Sequence, residues 1–275
     1  MGIIINPFAN TLSPTTLANI KFWYDMGDIN TVFSDAGVTK LTGTGSCYQI
    51  NDLSDNKHHL SNSASGQRPT WNADGYLDFD GAGDHLSTND GDNSGDAQSD
   101  RGTAFSSCAM TIFMVLDADD WDGSDDSDAD TGDDDDYILG GQANNHNWVR
   151  FDSKDRWSLK GCTTSGSAET LTLNHNHNFL IANNKIIAAV RVDTSGNAFI
   201  YKGETAPALG ATFSNTSRVF HWGTLASAGA VGGVSTYNGK IYEVIGYEED
   251  KGAPTVSGSN GASAILNMLK QKYAI

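Results

Sequence analysis

Apolar residues recur at every second position over runs of about five, and Asp-Gly, Asn-Gly and Gly-Gly steps separate these runs. Residues 76–80 (YLDFD) alternate in this way and stop at Asp80-Gly81, and residues 185–193 and 197–203 read as a hairpin over Thr194-Ser195-Gly196. Residues 111–117 form a nearly unbroken apolar run, the mark of a strand covered on both faces. Asn238-Gly239 leads into a further strand over 238–247. One stretch has a different period. Ala262, Ile265, Leu266, Leu269 and Tyr273 follow i, i+3, i+4, i+7 spacing, which predicts a short C-terminal helix over 262–273, expected to close one end of the core. Lys270 and Lys272 fall where the helix dipole favours cations. The pattern predicts an all-β protein, an antiparallel β-sandwich of jelly-roll type carrying that one helix.

Composition narrows the organisation. Thirty glycines and only five prolines in 275 residues suit many short strands joined by tight turns. No Pro- or Ser-rich linker splits the chain, and no repeat of about 20–50 residues is visible, so a solenoid or propeller is not expected. The expected layout is an N-terminal arm over 1–18 and one sandwich over 19–275, interrupted by an acidic insertion at 117–136. Residues 1–8 (MGIIINPF) lack a basic start and a long apolar run, so neither a signal peptide nor membrane insertion is expected. Cys47, Cys108 and Cys162 are widely spaced and odd in number, which argues for buried thiols rather than a disulfide framework or thiolate metal site.

The formal net charge is −17, and twelve aspartates lie within 117–136, where no Lys or Arg occurs. Removing those twelve from −17 leaves −5, so the acidity belongs mainly to one insertion. A cationic face for phosphate contacts is lacking, and nucleic acid is not an expected partner. Two readings of the acidic loops compete. In one they are solvated; in the other Asp126, Asp128 and Asp130, or Asp90, Asp92 and Ser94, supply hard oxygen ligands to calcium. The EF-hand template is incomplete in both: Thr131 and Tyr137 replace its Gly and Glu in the first, and Arg101 replaces Glu in the second.

Taken in order, Phe22-Trp23-Tyr24-Asp25, residues 51–61 (NDLSDNKHHLS) and residues 68–86 (RPTWNADGYLDFDGAGDHL) make an aromatic strand ending in Asp, an Asp-Leu-Ser turn, an Arg-Pro lead-in and a strand closing on Phe-Asp-Gly. This succession resembles the N-terminal half of the concanavalin A-like (laminin-G-like) lectin and glucanase superfamily, in the form met in tailed-bacteriophage virion proteins. The strands at 111–117, 185–203 and 238–247 extend the resemblance over most of the chain. It implies a structural protein on the surface of a phage particle, made in the host cytoplasm, as capsid decoration or as a tail or fibre appendage. Its partners would be other virion proteins and further copies of itself, with a trimer expected. The alternative is a carbohydrate-binding module that attaches to host surface glycans.

Hydrolases of that superfamily place their carboxylates in an E-x-D-x-(x)-E pattern, and a retaining enzyme needs two carboxyls about 5 Å apart. The five glutamates, Glu169, Glu204, Glu243, Glu248 and Glu249, do not fall in that pattern, and a non-enzymatic protein is expected. Glu243 matches a position that non-enzymatic relatives also keep. For glycan contact the candidates are Trp121, Asn145, His146 and Trp148; the competing view is that Trp148 and Trp157 pack between the sheets. His175 and His177 have a spacing suited to a transition metal but also suit a polar loop, and His58-His59 reads as structural. Ile3, Ile4, Ile5, Pro7 and Phe8 are the candidate assembly residues, a β-branched segment that would add to a neighbour's sheet edge; an ordinary first strand is the competing view.

Overall fold

The computed structural model describes residues 12–88, 103–105, 107–118, 136–140, 148–153, 156–163, 168–174, 184–205, 210–226 and 237–275. In chain order the strands are β1 (Ile20–Asp25), β2 (Val32–Phe33), β3 (Gly45–Ser46), β4 (Gln49–Ile50), β5 (Leu60–Ser61), β6 (Thr70–Asn72) and β7 (Tyr76–Asp80). Then come β8 (Leu86–Thr88), β9 (Thr103–Phe105), β10 (Met110–Ala118), β11 (Asp136–Gly140), β12 (Trp148–Ser153), β13 (Arg156–Thr163) and β14 (Ala168–Asn174). The last are β15 (Ile186–Val192), β16 (Asn197–Lys202), β17 (Ala211–Thr212), β18 (Arg218–Trp222), β19 (Thr224–Leu225) and β20 (Asn238–Tyr247), followed by helix α1 (Gly261–Tyr273).

Among the described residues these strands form two antiparallel sheets. The first runs β17-β16-β15-β10-β20-β7-β6-β3, with β1 also paired to β20. The second runs β2-β4-β5-β8-β19-β11-β12-β13-β18-β9, with β14 paired to β13. Alternation decides what goes between them. Leu77 and Phe79 of β7, Ile112, Met114 and Leu116 of β10, and Ala188 and Val190 of β15 meet Leu139, Val149, Trp157, Leu159 and Leu171 of the second sheet in one continuous core. Trp157 is therefore a core residue. Cys47 and Cys108 are buried free thiols, and burial pushes the Cys47 thiol up to about 12.

All nine residues of β10 are buried because its other face is covered as well. Ala262, Ile265, Leu266 and Leu269 of α1 pack on Phe113 and Val115 of β10, Ile187 and Ala189 of β15, Tyr201 of β16, and Ile245 and Tyr247 of β20. The helix thus lies on the outer face of the first sheet and makes a second, smaller core. It does not close an end of the sandwich, contrary to the sequence-based expectation. The amphipathic stripe shows that α1 has a partner face but not which of several apolar surfaces it is. Asn260 caps the helix, its side chain accepting from the Ser263 N–H at 2.8 Å. Leu12, Leu17 and Ile20 pack against the same cluster, and the Tyr247 hydroxyl donates to the Pro14 carbonyl at 3.0 Å. No described helix is long and apolar enough to cross a membrane.

A bulge shapes β20. Val115 of β10 pairs with Glu243 and Leu116 with Ile241, so Tyr242 is an extra residue. Ile241 and Val244 belong to the inter-sheet core, while Tyr242 and Glu243 both come out on the helix side.

Candidate functional site

The segments that carry the family resemblance meet at one place, and their side chains are committed to holding the fold. β1 pairs with β20, and its other edge is sealed by the 51–56 turn rather than by a strand. Asp52 Oδ1 accepts the Trp23 N–H at 2.8 Å, the Leu53 N–H donates to the Trp23 carbonyl at 2.8 Å, and Asn56 Nδ2 donates to the Ile20 and Lys21 carbonyls at 3.0 and 2.9 Å. Buried Asp52 also accepts from the N–H and hydroxyl of Ser54, at 2.8 and 2.7 Å, and from the His58 N–H at 3.0 Å. Its own N–H donates to His59 Nδ1 at 3.1 Å, and the His58 carbonyl accepts the Tyr24 hydroxyl at 2.7 Å. Burial holds both imidazoles below their ordinary range, which suits His59 as a neutral acceptor. The histidine pair is structural.

The Arg-Pro lead-in is used similarly. Arg68 donates to the Asn62 and Ser63 carbonyls at 2.7 and 2.8 Å and lies over the Tyr48 ring, and Trp71 Nε1 donates to the Met26 carbonyl at 2.9 Å. At the Phe-Asp-Gly end, Asp80 Oδ1 accepts the Ala82 N–H at 2.8 Å and Gly81 takes a φ of 69°, so this Asp-Gly is turn chemistry. Asp84 follows in the same loop. It is buried, and that burial, together with the charges of Asp80 and Asp78, raises its carboxyl to about 6.

Two carboxylates do come together, at the foot of α1. Lys272 Nζ lies 2.6 Å from both Asp25 Oδ2 and Glu243 Oε2. Trp23 Nε1 donates to Glu243 Oε1 at 2.8 Å and the Tyr273 hydroxyl donates to Oε2 at 2.8 Å. Two oxygens that share one ammonium are close neighbours, and a retaining glycosidase also uses a close carboxyl pair, about 5 Å apart. Here, however, the ammonium stands between them, every Glu243 bond comes from a neighbouring side chain, and Glu243 is 1% exposed. The arrangement binds α1 to the sheet. Burial pushes the Glu243 carboxyl above its ordinary range, with Lys272 opposing and Asp25 adding to that shift. Sequence reasoning missed this cluster. Lys272 was legible only as a helix-dipole partner, because its carboxylates come from strands about 30 and about 250 residues away.

Beyond the end of α1 the outer face of the first sheet changes character. Asp78 of β7 pairs with Lys240 of β20, which pairs with Asp117 of β10, and Lys185, next to β15, is within electrostatic reach of Asp117. Tyrosines border this row. The Tyr76 and Tyr242 rings are 5.3 Å apart, those of Tyr242 and Tyr273 5.8 Å apart, and Lys185 Nζ sits 3.8 Å over the Tyr242 ring. Tyr76, Asp78, Lys185, Lys240 and Tyr273 are half-buried.

Most sequence-derived candidates lie outside the described residues. This holds for Asp90, Asp92, Ser94, Asp126, Asp128 and Asp130, for Trp121, Asn145 and His146, for His175 and His177, and for Ile3, Ile4, Ile5, Pro7 and Phe8. The backbone of Trp148 is placed in β12, paired with Gly140 and Lys160, but its side chain is outside the description. Among the described residues no group of three or more His, Cys, Asp or Glu is set to hold a metal ion.

No family model and no curated relative matches the chain. Among solved structures, the Trypanosoma rangeli sialidase in complex with 2,3-difluorosialic acid overlaps 94% of this chain and 34% of its own, at 9% identity and a TM-score of 0.50. The binding domain of Paraclostridial Mosquitocidal Protein 1 overlaps 95% of this chain and 53% of its own, at 12% identity and a TM-score of 0.48. The botulinum neurotoxin serotype G binding domain overlaps 92% and 51%, at 10% identity and 0.48. The chain thus spans only a third to about a half of each of these structures. At such identities the likeness is one of fold alone, and the fold is an antiparallel β-sandwich with a short C-terminal helix.

Proposed function

We propose that the chain is a non-catalytic structural protein on the surface of a bacteriophage particle, serving as capsid decoration or as a tail or fibre appendage. The observation that carries this reading is the use made of the motif residues: Asp52, Ser54, Asn56 and Arg68, on which the resemblance rests, all bond to the backbone of their own domain. The carboxylate pair at Glu243 is likewise committed to holding α1. Such a chain works through its outer surfaces. Its partners are other virion proteins and copies of itself, in a homo-oligomer that we take to be a trimer, with Ile3, Ile4, Ile5, Pro7 and Phe8 as the attaching segment. The test is co-sedimentation of the purified chain with emptied phage capsids or tails. Binding that disappears when residues 1–8 are removed supports the proposal, and absence of the chain from purified particles overturns it.

A second reading, attachment to host surface glycans, is favoured by the tyrosine-bordered row of alternating charges on the first sheet. Rings beside closely set donors and acceptors are what sugar recognition requires. Retention on a glycan array, with no turnover of the retained sugar, tests it.

A further inference from the structure

The foot of α1 holds an amine, a carboxyl and a second acid in mutual contact. Lys272 Nζ is 2.6 Å from Asp25 Oδ2 and 2.6 Å from Glu243 Oε2. The three residues come from the end of the helix, the end of β1 and the bulged part of β20. As ions they are one ammonium against two carboxylates, and Glu243 is buried. A purely structural pair needs one acid for its base, and a second buried charge is costly to keep. The second acid therefore asks for a use.

Each atom of the cluster is placed for a condensation. The Gly27 N–H donates to Asp25 Oδ1 at 3.0 Å, which leaves Oδ2 facing the lysine. It also sets a backbone donor on the oxygen that becomes negative when an amine adds to the carboxyl carbon. Trp23 Nε1 and the Tyr273 hydroxyl fix the two oxygens of Glu243, each at 2.8 Å. Burial raises the Glu243 carboxyl, which makes it a better acceptor for a lysine proton. In open water such a condensation runs toward hydrolysis; a site that holds amine and carboxyl in contact and keeps bulk water from them favours the amide.

We infer that Lys272 and Asp25 condense to an internal amide, with Glu243 as the catalytic residue that carries protons between them. Glu243 takes a proton from the Lys272 ammonium and hands it to Asp25 Oδ2, leaving a neutral amine beside a neutral carboxyl. The amine electron pair adds to Asp25 Cγ, and charge gathers on Oδ1 against the Gly27 N–H. The nitrogen then gives up a proton through Glu243 to the Oδ2 hydroxyl, the Cγ–Oδ2 bond breaks, and water leaves past the partly exposed Lys272 stem. One ammonium and one carboxylate become one amide and one water, Glu243 ends as it began, and nothing is oxidised or reduced. In the unreacted form the same groups hold α1 as ions. The bond would close residues 25–272 into a covalent loop, whatever the outer surfaces bind.

The test is mass spectrometry of the full chain after days of incubation near neutral pH. The parent should be lighter by one water than its sequence requires. Trypsin cuts after Lys21, Lys40 and Lys270 but not after an acylated Lys272, so residues 22–40 should emerge joined to the peptide that begins at Gln271. Asp25→Asn should give the same joint with loss of ammonia in place of water. Lys272→Arg should give none, and the linked parent should melt about 10 °C or more above it. Glu243→Gln should slow linkage about a hundredfold or more. A parent of full mass without the linked peptide overturns the inference, as does a water loss traced to an Asp-Gly step or a joint to 241–251, which contains Glu243. An undiminished rate in folded Glu243→Gln overturns the role given to Glu243. If a variant fails to fold, the parent's mass and fragments still decide the bond.

Discussion

Lys272→Met removes one ammonium and keeps an unbranched stem of similar length beside Tyr273. Two contacts of 2.6 Å are lost, and Glu243 is left facing Asp25 with only the Trp23 N–H and the Tyr273 hydroxyl as donors. Breaking a buried ion pair from one side costs about 3–5 kcal/mol. Lys272 is 33% exposed, so water replaces part of what is lost, and the expected cost is about 2–3 kcal/mol. For a domain of this size that lowers the melting midpoint by roughly 5–10 °C. The pH dependence separates this mechanism from a packing defect. Burial already holds the Glu243 carboxyl above its unfolded value, and losing the ammonium raises it further. A carboxyl raised on folding takes stability away as pH rises from its unfolded to its folded pKa, so the deficit is full near neutrality and shrinks toward about pH 4. Urea unfolding across that range measures it. Adding Glu243→Gln should recover about 1 kcal/mol, because no charge is then left unpaired. A deficit below about 0.5 kcal/mol at neutral pH, or one equal at every pH, would refute the electrostatic account.

Three further outcomes are expected. Asp52→Ala deletes the acceptor of four hydrogen bonds and unseals β1, with an expected cost of about 3 kcal/mol or more in urea unfolding and self-association visible by light scattering. Asp84, held at about 6, takes stability away as pH rises from about 4 to about 6; Asp84→Asn should therefore gain about 1–2 kcal/mol at neutral pH and nothing near pH 4. In Gly246→Ala the new methyl would overlap the Phe22 ring, which is stacked between Tyr24 and Phe105 at 5.5 and 6.2 Å; a loss of about 1–3 kcal/mol is expected, partly relieved by Phe22→Leu.

The layers were legible because strand alternation is local: Leu77 and Phe79 went inward and Asp78 and Asp80 outward, as their spacing required. The hairpin over Gly196 was legible for the same reason, with β15 and β16 inside the expected spans. The seat of α1 was not, because Leu266 and Leu269 specify an apolar surface without naming it. The row of charges across the first sheet was not legible. Asp78 and Lys240 are about 160 residues apart in sequence, and only the order β7-β20-β10-β15 makes neighbours of them. Alternation pointed both Trp148 and Trp157 to the core; Trp157 lies there, and the Trp148 side chain is outside the described residues.

The extra residue in β20 sets the reading frame for the rest of that strand. Up to Ile241, odd-numbered positions face the inter-sheet core; from Val244 onward, even-numbered positions do. Removing Tyr242 would close the bulge and keep every later side chain on its face, with Ile241 inward, Glu243 outward and Val244 inward, whereas losing one residue between Val244 and Tyr247 would turn Tyr247 into space already filled. Past Val244 a change in length cannot be absorbed in this way, and homologous chains should vary there in composition more readily than in spacing.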